Sequence, residues 1–96
     1  MVERLLITKG RLGLHARAAA KLVRVVSGFQ SQVLLRRADG NVTADARSIL
    51  SVLMLAANQG TELHAIADGA DEELAMNAIE EFFAAGFGEL EPGTSL

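Results

Sequence analysis

The sequence predicts an α+β domain: a four-stranded antiparallel sheet with three helices on one face, an open-faced β-sandwich in the order βαββαβα. Two observations carry this. Apolar residues switch along the chain between strand-like runs and a helical period of about 3.6 residues. In the middle, two short apolar runs flank an Asp-Gly pair, so a hairpin lies between helices, and a sheet built that way is antiparallel and covered on one side.

The elements follow in order. "VERLLIT" (Val2 to Thr8) is rich in β-branched and leucine residues and ends at Lys9-Gly10, a strand whose inward parity is ambiguous. From Ala16 to about Ser27, Ala19, Leu22, Val23 and Val26 recur at the spacing of one buried helical stripe, with Gly28 as its stop. "SQVLLRR" and "NVTAD" flank "ADGN", where Gly40 tolerates the positive φ of a tight hairpin turn. Ser48 to Asn58 reads as a short helix closed by Gly60, and "TELHAIA" as a strand with Leu63, Ala65 and Ala67 inward. In "DGADEELAMNAIEEFFAAG", Ala75, Ala78, Ile79 and Phe82 share a face, while Asp71, Glu72 and Glu73 load the first turn with the charge that the helix dipole favours. Residues 1–88 are thus expected to form one domain, and "ELEPGTSL" (89–96) a flexible tail.

Composition excludes several classes of function. Ninety-six residues make a single core, and the absence of cysteine removes disulfides and thiolate chemistry. No apolar run approaches the roughly 20 residues of a membrane span, and "MVERLLITKG" lacks a signal-peptide layout, so a cytoplasmic chain without membrane insertion is expected. A net charge of -3 argues against a nucleic-acid surface. His64 reads as a solvated strand residue, and two isolated histidines make neither a metal site nor a call for a cofactor.

His15 is the informative histidine, placed between a glycine-broken loop and the alanine-rich helix. One reading is a loop histidine held by local hydrogen bonds. The other starts from the backbone amides of Ala16, Arg17 and Ala18, which lack intrahelical acceptors at a helix end that carries partial positive charge. An anion beside His15 would find those donors together with the guanidinium of Arg17. Neutral imidazole is a competent nucleophile, so the group suits a transient phosphohistidine.

"GLHARAAAKLV", "ARSILSVLMLAANQGTEL" and "DGADEELAMNAI" resemble the HPr phosphocarriers of the bacterial phosphoenolpyruvate-dependent sugar phosphotransferase system, from the first strand to the last helix. Gly13, Leu14, His15, Arg17 and Ala19 fit that family's active-site pattern, whereas Ala18 stands where the family has proline. Alanine is the best helix former, so a softer helix start is expected rather than a lost one. The resemblance implies that Nδ1 of His15 accepts a phosphoryl group from phosphorylated enzyme I and passes it to enzyme IIA domains, with Arg17 stabilising the group and no cofactor or metal required.

Ser48 precedes "ILSVLML" and suits a helix N-cap. The resemblance adds a regulatory phosphorylation site there, served by a serine kinase/phosphorylase. Ile49, Leu50, Val52, Leu53, Met54, Leu55, Ala56 and Ala57 surround the second helix with apolar groups. If Val52, Leu55 and Ala56 face the sheet, then Ile49, Leu50 and Leu53 form an exposed patch; alternatively the fold covers both faces. The resemblance favours a docking surface for enzyme I and IIA on a monomer. Two alternatives stand beside the sugar carrier: a carrier of the nitrogen-related phosphotransfer branch, and a regulatory binding module of the same fold, which would not require a nucleophile at a helix start.

Overall fold

The computed structural model describes residues 1–88, which run β1 (Val2–Ile7), α1 (Ala16–Ser27), β2 (Gln32–Arg37), β3 (Thr43–Asp45), α2 (Ile49–Leu53), β4 (Glu62–Asp68), α3 (Glu72–Ala84) and a 3-10 turn at Gly86–Gly88. The tail expected at 89–96 lies outside the described residues. The strands form one antiparallel sheet in the order β1-β4-β2-β3, so the last strand in sequence sits between the first two. Register brings Leu6 opposite Leu63, Ala67 between Val2 and Val33, and Leu35 between Ala65 and Ala44. These side chains share the buried face with Leu22 and Val26 of α1 and Met76, Ile79 and Phe83 of α3. Alanines at the centre of β4 keep the middle of the sheet low, which lets large helix side chains fill the space above it.

The predicted fold class and element order hold, with corrections in detail. On α1 the buried residues are Ala18, Ala19, Leu22 and Val26, while Val23 is half-buried. A methyl group such as that of Ala18 carries little weight in a hydrophobic pattern, yet it is fully buried where the helix meets its neighbours. Gly28 does end α1, but in right-handed conformation at φ −77°. Gly40 takes no positive φ either. The connection between β2 and β3 spans 38–42, closed by the Arg37 N–H donating to the Val42 carbonyl at 3.4 Å.

On α3 the buried set is Ala75, Met76, Ile79 and Phe83, with Ala78 and Phe82 half-buried. Phe87, at φ +61°, folds back to meet Phe83 edge-on at 5.1 Å and Phe82 at 5.2 Å, and this cluster turns the helix from the predicted face. The side chain of Asp71 makes no cap bond to its own helix. Its carboxylate accepts from the N–H groups of Gln30 and Ser31 at 2.9 and 3.0 Å and from the Ser31 hydroxyl, tying the start of α3 to the segment before β2.

The helix expected from Ser48 to Asn58 is confined to Ile49–Leu53. Beyond it the bonds shorten to i→i+3, from Leu55 N–H to Val52 and from Ala56 N–H to Leu53, and Ala56 reverses the chain at φ +50°. Ala56 is therefore exposed, and Ala57 takes the inward place beside Val52 and Leu55. Among the described residues no helix is long and apolar enough to cross a membrane.

Candidate functional site

The site is built by the loop between β1 and α1. Gly13 sits at φ +68°, and a Cβ there would lie 2.3 Å from the carbonyl oxygen of Ala57, so only glycine fits. That carbonyl accepts the N–H of buried Leu14 at 2.9 Å, clamping the loop to the segment after α2 immediately before His15.

His15 is the N-cap of α1, with extended backbone at φ −75° and ψ −180°. Its carbonyl takes the N–H of Ala19 at 2.8 Å, and its Nδ1 takes the N–H of Arg17 at 3.3 Å. An imidazole nitrogen here does what Ser or Asp oxygens usually do at an N-cap. Accepting a bond at Nδ1 puts the lone pair there and the ring hydrogen of the neutral form on Nε2. The nitrogen that carries the lone pair thus faces the helix end.

Ala19 N–H is spent on the His15 carbonyl and Arg17 N–H on Nδ1, so the amides of Ala16 and Ala18 are the remaining first-turn donors around the imidazole. Ala16 and Arg17 are exposed, and the methyl of Ala18 is buried below them. A recess of about 520 Å³ opens here, lined by Arg11, Leu12, His15 and Arg17. Arg11 and Leu12 were missed as site residues. The signal available was an apolar residue, 73% exposed in the structure, placed between an arginine and a glycine in a loop. A second recess of about 600 Å³, lined among others by Asp39, Asn58, Gln59 and Glu62, does not include His15.

Ser48 is half-buried and caps α2, its hydroxyl accepting the N–H of Ser51 at 3.2 Å. Arg47 turns away from it and donates to the carbonyls of Phe29 and Ser31 at 2.6 and 3.1 Å. Of the predicted patch, Ile49 and Leu50 are exposed, but Leu53 is half-buried against the core, because the helix stops at that residue and its side chain lies over Val52 and Leu55's cluster. Met54, 68% exposed, takes its place beside Leu50. His64 stands on β4 between Leu5 and Arg36 in register and does not line the recess at His15. Among the described residues no cluster of His, Cys, Asp or Glu could hold a metal ion.

Comparison with known proteins bears on this arrangement. The family model described as the PTS HPr component phosphorylation site matches residues 2–85. A phosphocarrier protein HPr of Xylella fastidiosa is 47% identical over 89 residues, which cover 93% of this chain and 98% of that protein. A phosphocarrier protein NPr of Proteus mirabilis is 47% identical over 81 residues, covering 84% of this chain and 89% of its own. Among solved structures, HPr-C-His from Thermoanaerobacter tengcongensis superposes with a TM-score of 0.86 at 34% identity, covering 95% of this chain and all of the other.

Proposed function

The chain belongs to the HPr family of phosphocarriers of the phosphotransferase system, and on that premise we propose that His15 is the residue that carries the phosphoryl group. Family membership makes the chain a partner of that system's enzymes. The observation that carries the residue assignment is the hydrogen bond from Arg17 N–H to Nδ1, which aims the attacking lone pair at the amide end of α1.

In our reading, the Nδ1–P bond forms as the N–P bond of a phosphohistidine on enzyme I breaks, and the bonding pair returns to the donor nitrogen. The N–H of Arg17 then shifts from Nδ1 to a phosphoryl oxygen, joined by the amides of Ala16 and Ala18 and by the Arg17 guanidinium. Such transfer needs positioning and charge stabilisation more than covalent help. An open recess and an exposed guanidinium hold the group weakly enough to release it to an enzyme IIA domain in sugar uptake.

Residues 1–88 are the carrier domain in this proposal, acting as a cytoplasmic monomer that docks through Ile49, Leu50, Leu53 and Met54 together with the start of α1. Phosphorylation of Ser48 by a serine kinase would put negative charge beside Leu50 and slow docking. Ser48→Asp, which keeps a cap, should reproduce the slowing. The NPr relative matches at the same identity as the HPr relative, so the donor enzymes of the sugar and nitrogen branches are to be compared side by side. The proposal is tested by incubation with phosphoenolpyruvate and enzyme I. An acid-labile, base-stable phosphoryl adduct should form and be absent from His15→Ala; an adduct that persists in that variant would refute the assignment.

A further inference from the structure

Arg37 closes β2 with each nitrogen of its guanidinium engaged. Nε and Nη2 donate to the two carboxylate oxygens of Asp39 at 2.8 and 3.0 Å, and Nη1 donates to the carbonyls of Leu55 and Ala56, both at 2.9 Å. A guanidinium is a rigid plane, so fixing one edge against a carboxylate fixes the direction of the other. Asp39 holds the pair from an exposed position, and exposed ion pairs add little to stability. The engagement of two backbone carbonyls is the unusual part.

Those carbonyls lie where the chain leaves α2 and reverses at Ala56, whose φ of +50° alanine does not favour on its own. The next carbonyl, that of Ala57, receives the N–H of Leu14 and presses against Gly13. Leu14 adjoins His15. A continuous run of contacts therefore joins the β2–β3 connection to the backbone that carries the nucleophile: Asp39, Arg37, the carbonyls of 55 and 56, the carbonyl of 57, then Gly13 and Leu14.

We propose that Arg37 is a positioning residue for His15. Oriented by Asp39, it locks the reversal after α2, and the Ala57 carbonyl then sets the path of Gly13 and Leu14 and so the direction in which Nδ1 meets the amides of α1. Arg37 does not line the recess at His15, and its guanidinium bonds to Asp39 and to backbone carbonyls after α2, so the proposal places its action on the transfer step and not on docking. The inference rests on the reading of His15 as phosphoryl acceptor.

The test follows transfer from phosphorylated enzyme I to the full chain in Arg37→Gln, Arg37→Lys and Asp39→Asn, with kcat and KM separated. Arg37→Gln should lower kcat about tenfold, the scale of a modest misplacement of reacting atoms, with KM unchanged and the amide resonances of Leu14 and Arg17 displaced. Asp39→Asn should lose less, since Nη1 still reaches the carbonyls, and Arg37→Lys should recover only part, since an ammonium has no fork. A folded Arg37→Gln with the wild-type kcat, or one whose loss lies in KM, would overturn the proposal. If Arg37→Gln does not fold, Asp39→Asn decides by the same criterion: a fall in kcat at constant KM supports it and a wild-type kcat overturns it. Failure of the wild-type chain to take phosphoryl on His15 would overturn the acceptor reading first and this one with it.

Discussion

Leu50 and Leu55 belong to one short segment, yet Leu50 is 70% exposed and Leu55 only 1%. The same substitution at both therefore separates docking from folding. Leu55→Glu buries a carboxylate without a partner, at a cost of several kcal/mol against a total stability of about 5–10 kcal/mol, and should unfold the chain. Leu50→Glu should melt like the wild type and lose transfer from enzyme I, because the new charge would be desolvated in the interface. Thermal melts by circular dichroism and a transfer assay decide it; a Leu50→Glu chain that accepts phosphoryl at the normal rate removes α2 from the docking surface.

Gly13→Ala tests the loop that carries His15. Positive φ costs an alanine about 1–2 kcal/mol, and its Cβ would meet the Ala57 oxygen at 2.3 Å, so the bond from Leu14 N–H must give. We expect a lower melting temperature and transfer slowed by about tenfold or more. Faster amide exchange at Leu14 would accompany it, and unchanged exchange would show that the clamp survives.

The placement of His15 is legible in the sequence, because a histidine just before an alanine-rich helix stands at that helix's start on paper as in space. His15, Arg17 and the amides behind them depend on local geometry alone. The buried stripe of α1 was displaced by Ala18, whose methyl is silent in a hydrophobic pattern, and that of α3 by Phe87, which folds back from beyond the helix end. The early end of α2 depends on Ala56 in a left-handed conformation that no residue type there announces. By its residue type Arg37 reads as a solvated charge, like Arg24 and Arg36, and the structure corrects this: its partners include two carbonyls, which every residue carries, and only the fold brings them within reach.

Thr8 is fully buried with its hydroxyl unpartnered among the described residues. Removing such a group leaves nothing unsatisfied behind, so Thr8→Val should raise stability by about 1–2 kcal/mol in denaturant unfolding. A destabilised variant would mean that the hydroxyl is satisfied in solution, for instance by a water.

Asp71 gives the fold an acid-sensitive tie. The Ser31 hydroxyl foremost, then the backbone N–H groups of Gln30 and Ser31, hold its carboxyl below the ordinary carboxylate range. Because the folded value is depressed, the stabilisation is complete above the unfolded value of about 4 and fades as pH falls through the folded one. Asp71→Asn should therefore melt below the wild type at about pH 7, and the gap should close on descending to about pH 2. A gap that stays constant across that range would assign the effect of the substitution to packing.

The nitrogen that carries the phosphoryl group is the most direct test of the account. In the phosphorylated chain, labelled with nitrogen-15 and read by phosphorus-coupled NMR, the phosphoryl should reside on Nδ1 of His15, and the Arg17 amide, which donates to Nδ1 at 3.3 Å in the free protein, should show the largest backbone shift as it moves to a phosphoryl oxygen. Phosphoryl on Nε2 or on another residue, or an Arg17 amide that does not respond, would contradict it.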